Sequence, residues 1–331
     1  MKISIIMALY NVEDCMDRAI SSVLAQTIGQ ENIQVILVDD QSTDGTWKKA
    51  ITYAEEHGNF HLLQTPTNSG SCGTPRNIAL KQVQTPYVMF LDPDDRYEVD
   101  ACEVLLEKME RTGVDLIQGS SVINGLISRT TPRERMVQGL PELLKLPLKN
   151  SCSQLYRMEL IQGGEVRFTD GIIYEDNEFY YGYLLQSHRV LLTPAVVHHY
   201  DTRESGTTLS ATRKSGFRPL DDLATAYGKV HVLLDTKDPS YIHLLKDHLM
   251  EEFIWKVSVT GELTMDEERI LTEKILWLND LWTRKDHKDE ILHGLIRSGQ
   301  INLLGSFFRY VLEEGNLMGQ LKKKIRKIQG R

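Results

Sequence analysis

The sequence predicts an α/β fold, an open and mostly parallel sheet over residues 1–216 followed by an all-α module over residues 217–331. Three observations predict it. Through residues 1–120, short apolar runs alternate with amphipathic helical patterns, the alternation of an open α/β sheet. Several of those runs are apolar throughout, as expected of parallel strands covered on both faces. Beyond residue 217, apolar side chains recur at helical spacing instead.

Taken in order, Lys2–Met7, Ile33–Val38, Phe60–Gln64, Tyr87–Leu91 and Leu116–Ile123 are the strand candidates. Between them, Met16, Ala19, Ile20, Val23 and Leu24 mark one helix face. Trp47, Ala50, Ile51 and Ala54 mark a second, and Val99, Cys102, Leu106 and Met109 a third. Asn11, with Asp14 three residues on, is the expected N-cap of the first helix, and Asp44 that of the second. Residues 125–215 are irregular, with glycines, prolines and short strand-like stretches. In the helical module the stripes are Leu245, Leu249, Phe253 and Val257; Leu271, Ile275, Leu278 and Trp282; and Leu304, Phe307, Phe308 and Val311. Gly315-Asn316 is expected to interrupt the last helix.

The composition narrows the class. The chain has 331 residues, is 41% hydrophobic and 25% charged, and carries a net charge of −8. Enough apolar sequence is present for a large core, and the acidic balance argues against broad nucleic-acid binding. Four scattered cysteines with no CxxC pair argue against a disulfide framework or a zinc cluster. No apolar run reaches the ~20 residues of a spanning helix. The apolar start lacks the flanks of a signal peptide, so a cytoplasmic setting is expected.

In open α/β sheets the ligand lies outside the carboxyl ends of the strands, so the polar groups that follow the strands matter most. These are Tyr10-Asn11, Asp39-Asp40, Asn68-Ser69-Gly70 and Asp92-Pro93-Asp94-Asp95. The last set follows an apolar strand directly, which delivers Asp92 and Asp94 to the rim of the sheet. Hard oxygen ligands on a short rigid segment suit Mg²⁺ or Mn²⁺, which binds phosphate oxygens in turn. The competing reading is a helix N-cap followed by acidic first-turn residues. Further on, Glu175-Asp176 precedes an amphipathic run of Phe179, Tyr183 and Leu184. Such a pair supplies a general base if one carboxylate lies within reach of a hydroxyl. Equally it makes an acidic first helical turn favoured by the helix dipole.

Ile5–Asn11 with Ile20–Thr27, Val38–Thr46, Asn68–Gly70 with Pro75-Arg76-Asn77, and Phe90–Asp95 occur in this order. Together they resemble family 2 glycosyltransferases. Glu175-Asp176 and the segment from Arg203 to Ser210 extend the resemblance to about residue 210, and within the family it is most similar to the wall teichoic acid N-acetylglucosaminyltransferases. The resemblance implies a GT-A fold, a UDP-sugar donor and Mn²⁺ or Mg²⁺ held by Asp94. It also implies that Ala8, Leu9, Tyr10 and Asn11 line the uridine and that Asp40 accepts from the uracil imide. Asn68 and Arg76 match positions that hold the uracil and neighbouring polar groups, and Asp92, Arg203 and Ser210 match positions at the diphosphate. Ala8 departs from the proline of many relatives. By the same resemblance Asp176 is the general base, assisted by Glu175, and a single displacement with one base inverts the anomeric carbon. Whether His198 or His199 binds metal stays open.

The implied acceptor is a bacterial surface polymer, wall teichoic acid first and capsule or exopolysaccharide second. A non-catalytic sugar-nucleotide-binding protein of the same fold is the alternative in another class; Asp94 and Asp176 together argue against it. A nucleotidyltransferase or dinucleotide dehydrogenase is disfavoured because no glycine-rich loop follows the first strand. The basic run from Leu321 to Ile328 stands out on an acidic chain. It suits peripheral contact with anionic lipid at the inner face of the cell membrane, or a polyanionic acceptor, as well as a solvated terminus. The helical module resembles one that assembles trimers in the teichoic acid enzymes, so a homo-oligomer is an expectation.

Overall fold

A computed structural model describes residues 1–128, 130–146, 151–200, 216–281 and 287–306. The chain divides into two units, one ending at residue 210 and the other beginning at residue 211.

The first unit opens with β1 (Ile3–Leu9), α1 (Met16–Leu24), β2 (Ile33–Asp39), α2 (Thr46–Glu56), β3 (Phe60–Gln64), α3 (Gly73–Leu80) and β4 (Tyr87–Phe90). These strands form the parallel half of one sheet in the order β3-β2-β1-β4. Every residue of β1 and β2 is buried, so continuous apolar runs do mark strands covered on both faces here. Ile3, Ile5, Met7 and Leu9 point into a core shared with Met16, Ala19, Ile20 and Val23 of α1, which is why both patterns are apolar at those spacings.

Next come β5 (Arg96–Tyr97), α4 (Ala101–Thr112), β6 (Leu116–Ile123), β7 (Leu126–Ser128), β8 (Arg135–Gln138), α5 (Leu140–Leu143), β9 (Gln154–Arg157), α6 (Met158–Gly163), α7 (Asp176–Gln186) and β10 (Arg189–Tyr200). Strand β9 inserts antiparallel between β4 and β6. Strand β10 runs parallel to β6 and antiparallel to β5 and β8. Two antiparallel reversals restore direction, so β6 points the same way as β4. The region expected to be irregular therefore supplies four of the ten described strands of the sheet, including the longest.

Three local expectations are corrected. Asn11 does not cap α1: it sits at φ 50, outside a helix that begins at Met16 after Cys15. Its side-chain oxygen accepts from the Thr43 amide at 2.8 Å instead. Val99 is not on the α4 face; it precedes the helix and is exposed, while Leu105 joins Cys102, Leu106 and Met109 in the core. The N-cap position of α2 is Gly45 rather than Asp44; Asp44, one residue earlier, accepts from the Thr46 amide at 3.0 Å.

The second unit contains α8 (Phe217–Asp235), α9 (Ile242–Val259), α10 (Met265–Leu281) and α11 (His287–Arg297). Leu245, Leu249, Phe253 and Val257 of α9 and Leu271, Ile275 and Leu278 of α10 are buried, as is Leu304. Trp282, Phe307, Phe308, Val311, Gly315-Asn316 and the basic run lie outside the described residues. Among the described residues no helix is long and apolar enough to cross a membrane. None of the four cysteines is joined in a disulfide.

Candidate active site

The rim is built where β1, β2 and β4 end together. Leu9 lies beside Asp39 in register, and the Asp40 amide donates to the Leu9 carbonyl at 2.8 Å. Asn11 and Gln41 both take positive φ, 50° and 61°, which turns each chain sharply off its strand; asparagine tolerates that conformation better than most residues. The two turns are stitched together, the Asn11 amide donating to Ser42 Oγ and the Val12 amide to Thr46 Oγ1. Ala8 and Leu9 bury their side chains, whereas Tyr10 is half exposed at the rim.

Asp40 is almost fully buried and organises the next loop. Its carboxylate accepts from Thr65 Oγ1 at 2.8 Å and from the Ser69 amide and hydroxyl at about 3 Å. Its carbonyl accepts from Asn68 Nδ2 at 2.8 Å. Asp40 and Asn68 therefore meet, and their observed bonds hold the 65–71 loop against β2. Neighbouring Asp39 accepts from the Ser42 amide and Gln64 through Oδ2. Its buried Oδ1 has no hydrogen-bond partner among the described residues.

At the centre is Arg76, 5% exposed. Its two terminal nitrogens bond separate carboxylates, Asp92 at 2.6 Å and Glu175 at 2.7 Å. The guanidinium also lies over Phe168 and Phe90, 5.2 and 5.9 Å from their centroids, and the planar cation suits aromatic faces as well as carboxylates. Close approach of α3 to the 168–175 segment makes this geometry. A Cβ on Gly73 would stand 2.3 Å from the Thr169 carbonyl oxygen, so only glycine fits. Asn77 exchanges bonds of 2.9 Å with the Phe168 backbone, and Thr74 donates to Asp170.

Asp176 is the first residue of α7 and half-buried beside Glu175. Loss of water in the cleft, then the adjacent Glu175 carboxylate, push its carboxyl up to about 7; Arg76 pulls it back. Glu175 is also raised by burial and drawn down by its ion pair with Arg76. Arg76 thus compensates Glu175 and leaves Asp176 as the carboxyl of the pair poised near neutral pH, where a general base works best. The residue before them, Tyr174, has φ 74. A bulky side chain there costs about 1–3 kcal/mol, a strain that concentrates at functional sites.

The three acids after β4 have separate surroundings. Asp92 pairs with Arg76. Asp95 is fully buried and 2.8 Å from His198 Nε2, tying β10 to the loop. Asp94 is half-buried, and its carbonyl accepts from Arg18. A carboxylate together with phosphate oxygens of a substrate is the kind of ligand set that suits Mg²⁺ or Mn²⁺. Asp95, Cys152 and His198 also bring ligand atoms within 4.8 Å of one another, but a thiol–imidazole set is too soft for those ions. His199 bonds Arg96 and Glu98.

Of the expected site residues, Arg76, Asp92, Glu175 and Asp176 come together, with Asp94 on the same loop as Asp92, while Ala8–Asn11, Asp40 and Asn68 line the neighbouring strand ends. Arg203 and Ser210 lie outside the described residues. Sequence reasoning missed the clamp through Arg76, the buried Asp95–His198 tie and the strain at Tyr174.

The model for Glycosyl transferase family 2 matches residues 4–163. A poly(ribitol-phosphate) beta-N-acetylglucosaminyltransferase, TarS of Staphylococcus aureus, is 26% identical over 85% of this chain and 48% of its own length. A poly(ribitol-phosphate) beta-glucosyltransferase of Bacillus spizizenii is 24% identical over 81% and 43%. The chain thus spans about half the length of these relatives. The crystal structure of S. aureus TarS 1–349 in complex with UDP-GlcNAc superposes with a TM-score of 0.75 at 20% identity, covering 95% of this chain and 92% of that one. The fold is shared.

Proposed function

Starting from a chain whose residues 4–163 form a Glycosyl transferase family 2 domain, we propose that it transfers a sugar from a UDP-sugar to a hydroxyl of a bacterial surface polymer. The polymer is a wall teichoic acid and the sugar N-acetylglucosamine in the reading favoured here, since similar proteins are named for poly(ribitol-phosphate) and one was crystallised with UDP-GlcNAc. Glucose is the second reading, favoured by the B. spizizenii relative. The observation that carries the proposal is the Arg76 clamp, which ties the diphosphate-side Asp92 to Glu175 while Asp176 stands beside it with a carboxyl near neutrality.

The steps follow from these groups. An acceptor hydroxyl oxygen attacks the anomeric carbon as the bond from that carbon to the diphosphate oxygen breaks. Asp176 takes the hydroxyl proton, the new glycosidic bond forms on the opposite face, and UDP leaves with the bonding electrons. One displacement gives inversion. Mn²⁺ or Mg²⁺ held by Asp94 would offset the charge that develops on the diphosphate. Tyr10, Asp40 and Asn68 bind or frame the uridine, and Arg203 and Ser210 contribute at the diphosphate. Residues 217–331 serve acceptor binding or oligomer assembly, and the basic run from Leu321 to Ile328 a peripheral contact with the membrane's inner face. Incubation with UDP-GlcNAc or UDP-glucose, Mn²⁺ and poly(ribitol-phosphate) tests the proposal, with the product anomer read by NMR. A β-linked product from an α-linked donor is expected; an α-linked product, or hydrolysis without transfer for either donor, refutes it.

A further inference from the structure

We infer that the hairpin joining β6 to β7 is a membrane-docking tip that inserts into an anionic lipid surface. Residues 116–128 contain no charged side chain. Ile123 and Leu126 face each other in register across a two-residue turn, as do Val122 and Ile127 behind them. Asn124 and Gly125 take φ 49 and 77, the double positive-φ turn that matches strand twist and makes a tight, rigid hairpin. The tip nevertheless leaves its apolar groups in water: Ile123 is 40% exposed, Leu126 75% and Ile127 53%. Clustered apolar exposure of this kind marks an interaction surface, where a single exposed leucine would not.

The charge behind the tip selects lipid. The chain carries −8 overall, yet Arg133 and Arg135 are exposed, and the acid between them, Glu134, is already paired with Lys108 and Arg111. Thr130 bonds Ser120 and Gly119, three to four residues back along β6 from Ile123. Further along, Arg135 pairs with Leu192 and Leu192 with Gln118, five residues back from Ile123, so at ~3.3 Å per residue it lies roughly 17 Å behind the tip. Interfacial segments bury their apolar part about 5–10 Å deep, which leaves these arginines just outside the headgroups, where long cationic side chains extend to the phosphates. Because β6 runs parallel to β4, the tip leaves the sheet on the rim that carries Asp92, so docking would turn the cleft toward the lipid surface. This inference stands apart from the proposed transfer reaction.

Flotation of the full chain with phosphatidylcholine vesicles, with and without phosphatidylglycerol, tests it. Binding to the anionic vesicles is expected, and Leu126→Ser with Ile127→Ser should weaken it by roughly tenfold or more with unchanged circular dichroism. Arg133→Gln with Arg135→Gln should weaken it and flatten its salt dependence. In Leu126→Trp, acyl-brominated lipid should quench the new fluorescence. No binding by the native chain, full binding by the double serine variant, or an unquenched Trp would overturn the inference. So would self-association that the serine pair abolishes, which would give the tip to a second copy.

Discussion

Replacing Arg76 with methionine separates the clamp from the packing around it. Methionine keeps an apolar stem against Phe168 and Phe90 but removes both ion pairs. Deleting one partner of a buried pair costs about 3–5 kcal/mol; Asp92 is about a third exposed and can regain water, whereas Glu175 is 14% exposed and cannot. The lower end, about 3 kcal/mol, is therefore expected near neutral pH. For a unit of this size that lowers the melting temperature by roughly 6–12 °C.

The penalty should also depend on pH in a stated direction. Without the cation, Glu175 is a buried acid beside Asp92 and Asp176, so the folded state favours its protonated form. Above its ordinary value of 4.5 the unfolded chain has lost that proton while the folded chain keeps it, and stability falls as pH rises. The melting gap between native and Arg76→Met protein should be small near about pH 4 and widen toward about pH 7. Thermal unfolding followed by circular dichroism at several pH values reads it. A gap that is constant with pH, or below about 1 kcal/mol throughout, would refute the clamp as an electrostatic device.

Three further outcomes are expected. Asp176→Asn should lower transfer by about 10²–10⁴-fold with UDP affinity unchanged by calorimetry; a parallel loss of UDP binding would make the residue structural. The rate of transfer by the native protein should rise with pH through about 7, falling about tenfold for each unit below that, because the base must first lose its proton. A pH–rate profile flat across the acid range would count against Asp176. Asp94→Asn should abolish the gain in UDP affinity produced by Mn²⁺ and leave metal-free binding nearly unchanged; equal gains in both proteins would remove Asp94 as the ligand.

The parallel half of the sheet was legible because β1, β2 and β4 are buried on both faces and apolar at every position but Ser4, Gln34 and Asp39, the first two of which bond each other. The antiparallel half was less so. Strand β9 is four residues long, and β10 carries Thr193, His198 and His199 among its apolar positions, since its polar groups bond partners across the sheet. The site was legible as a set of carboxylates after strands but not as an arrangement. Glu175 and Arg76 are 99 positions apart, and nothing local in either tells which acid the guanidinium will choose. Gly73 and Tyr174 were silent for a related reason: a close backbone approach and a positive φ are properties of the packed chain. For Arg76, the family's position implied a place near the nucleotide, whereas the observed contacts are with the two acids flanking the cleft.

That difference explains how consecutive acids can share one short loop without repelling it open. Asp92, Asp94 and Asp95 would destabilise the turn if all faced water or all faced each other. Asp92 is neutralised by a cation delivered from α3, and Asp95 is withdrawn into the sheet against His198 on β10. Both partners come from elements that also frame the cleft. The same bonds that make the acidic turn tolerable therefore fix its position relative to Glu175 and Asp176. Asp94 is half-buried at the rim, its carbonyl held by Arg18 of α1. The cost of burying Asp95, His198 and Arg76 is thus part of how the loop is pre-organised, and a variant that relaxes either tie should disturb Asp94 without touching it.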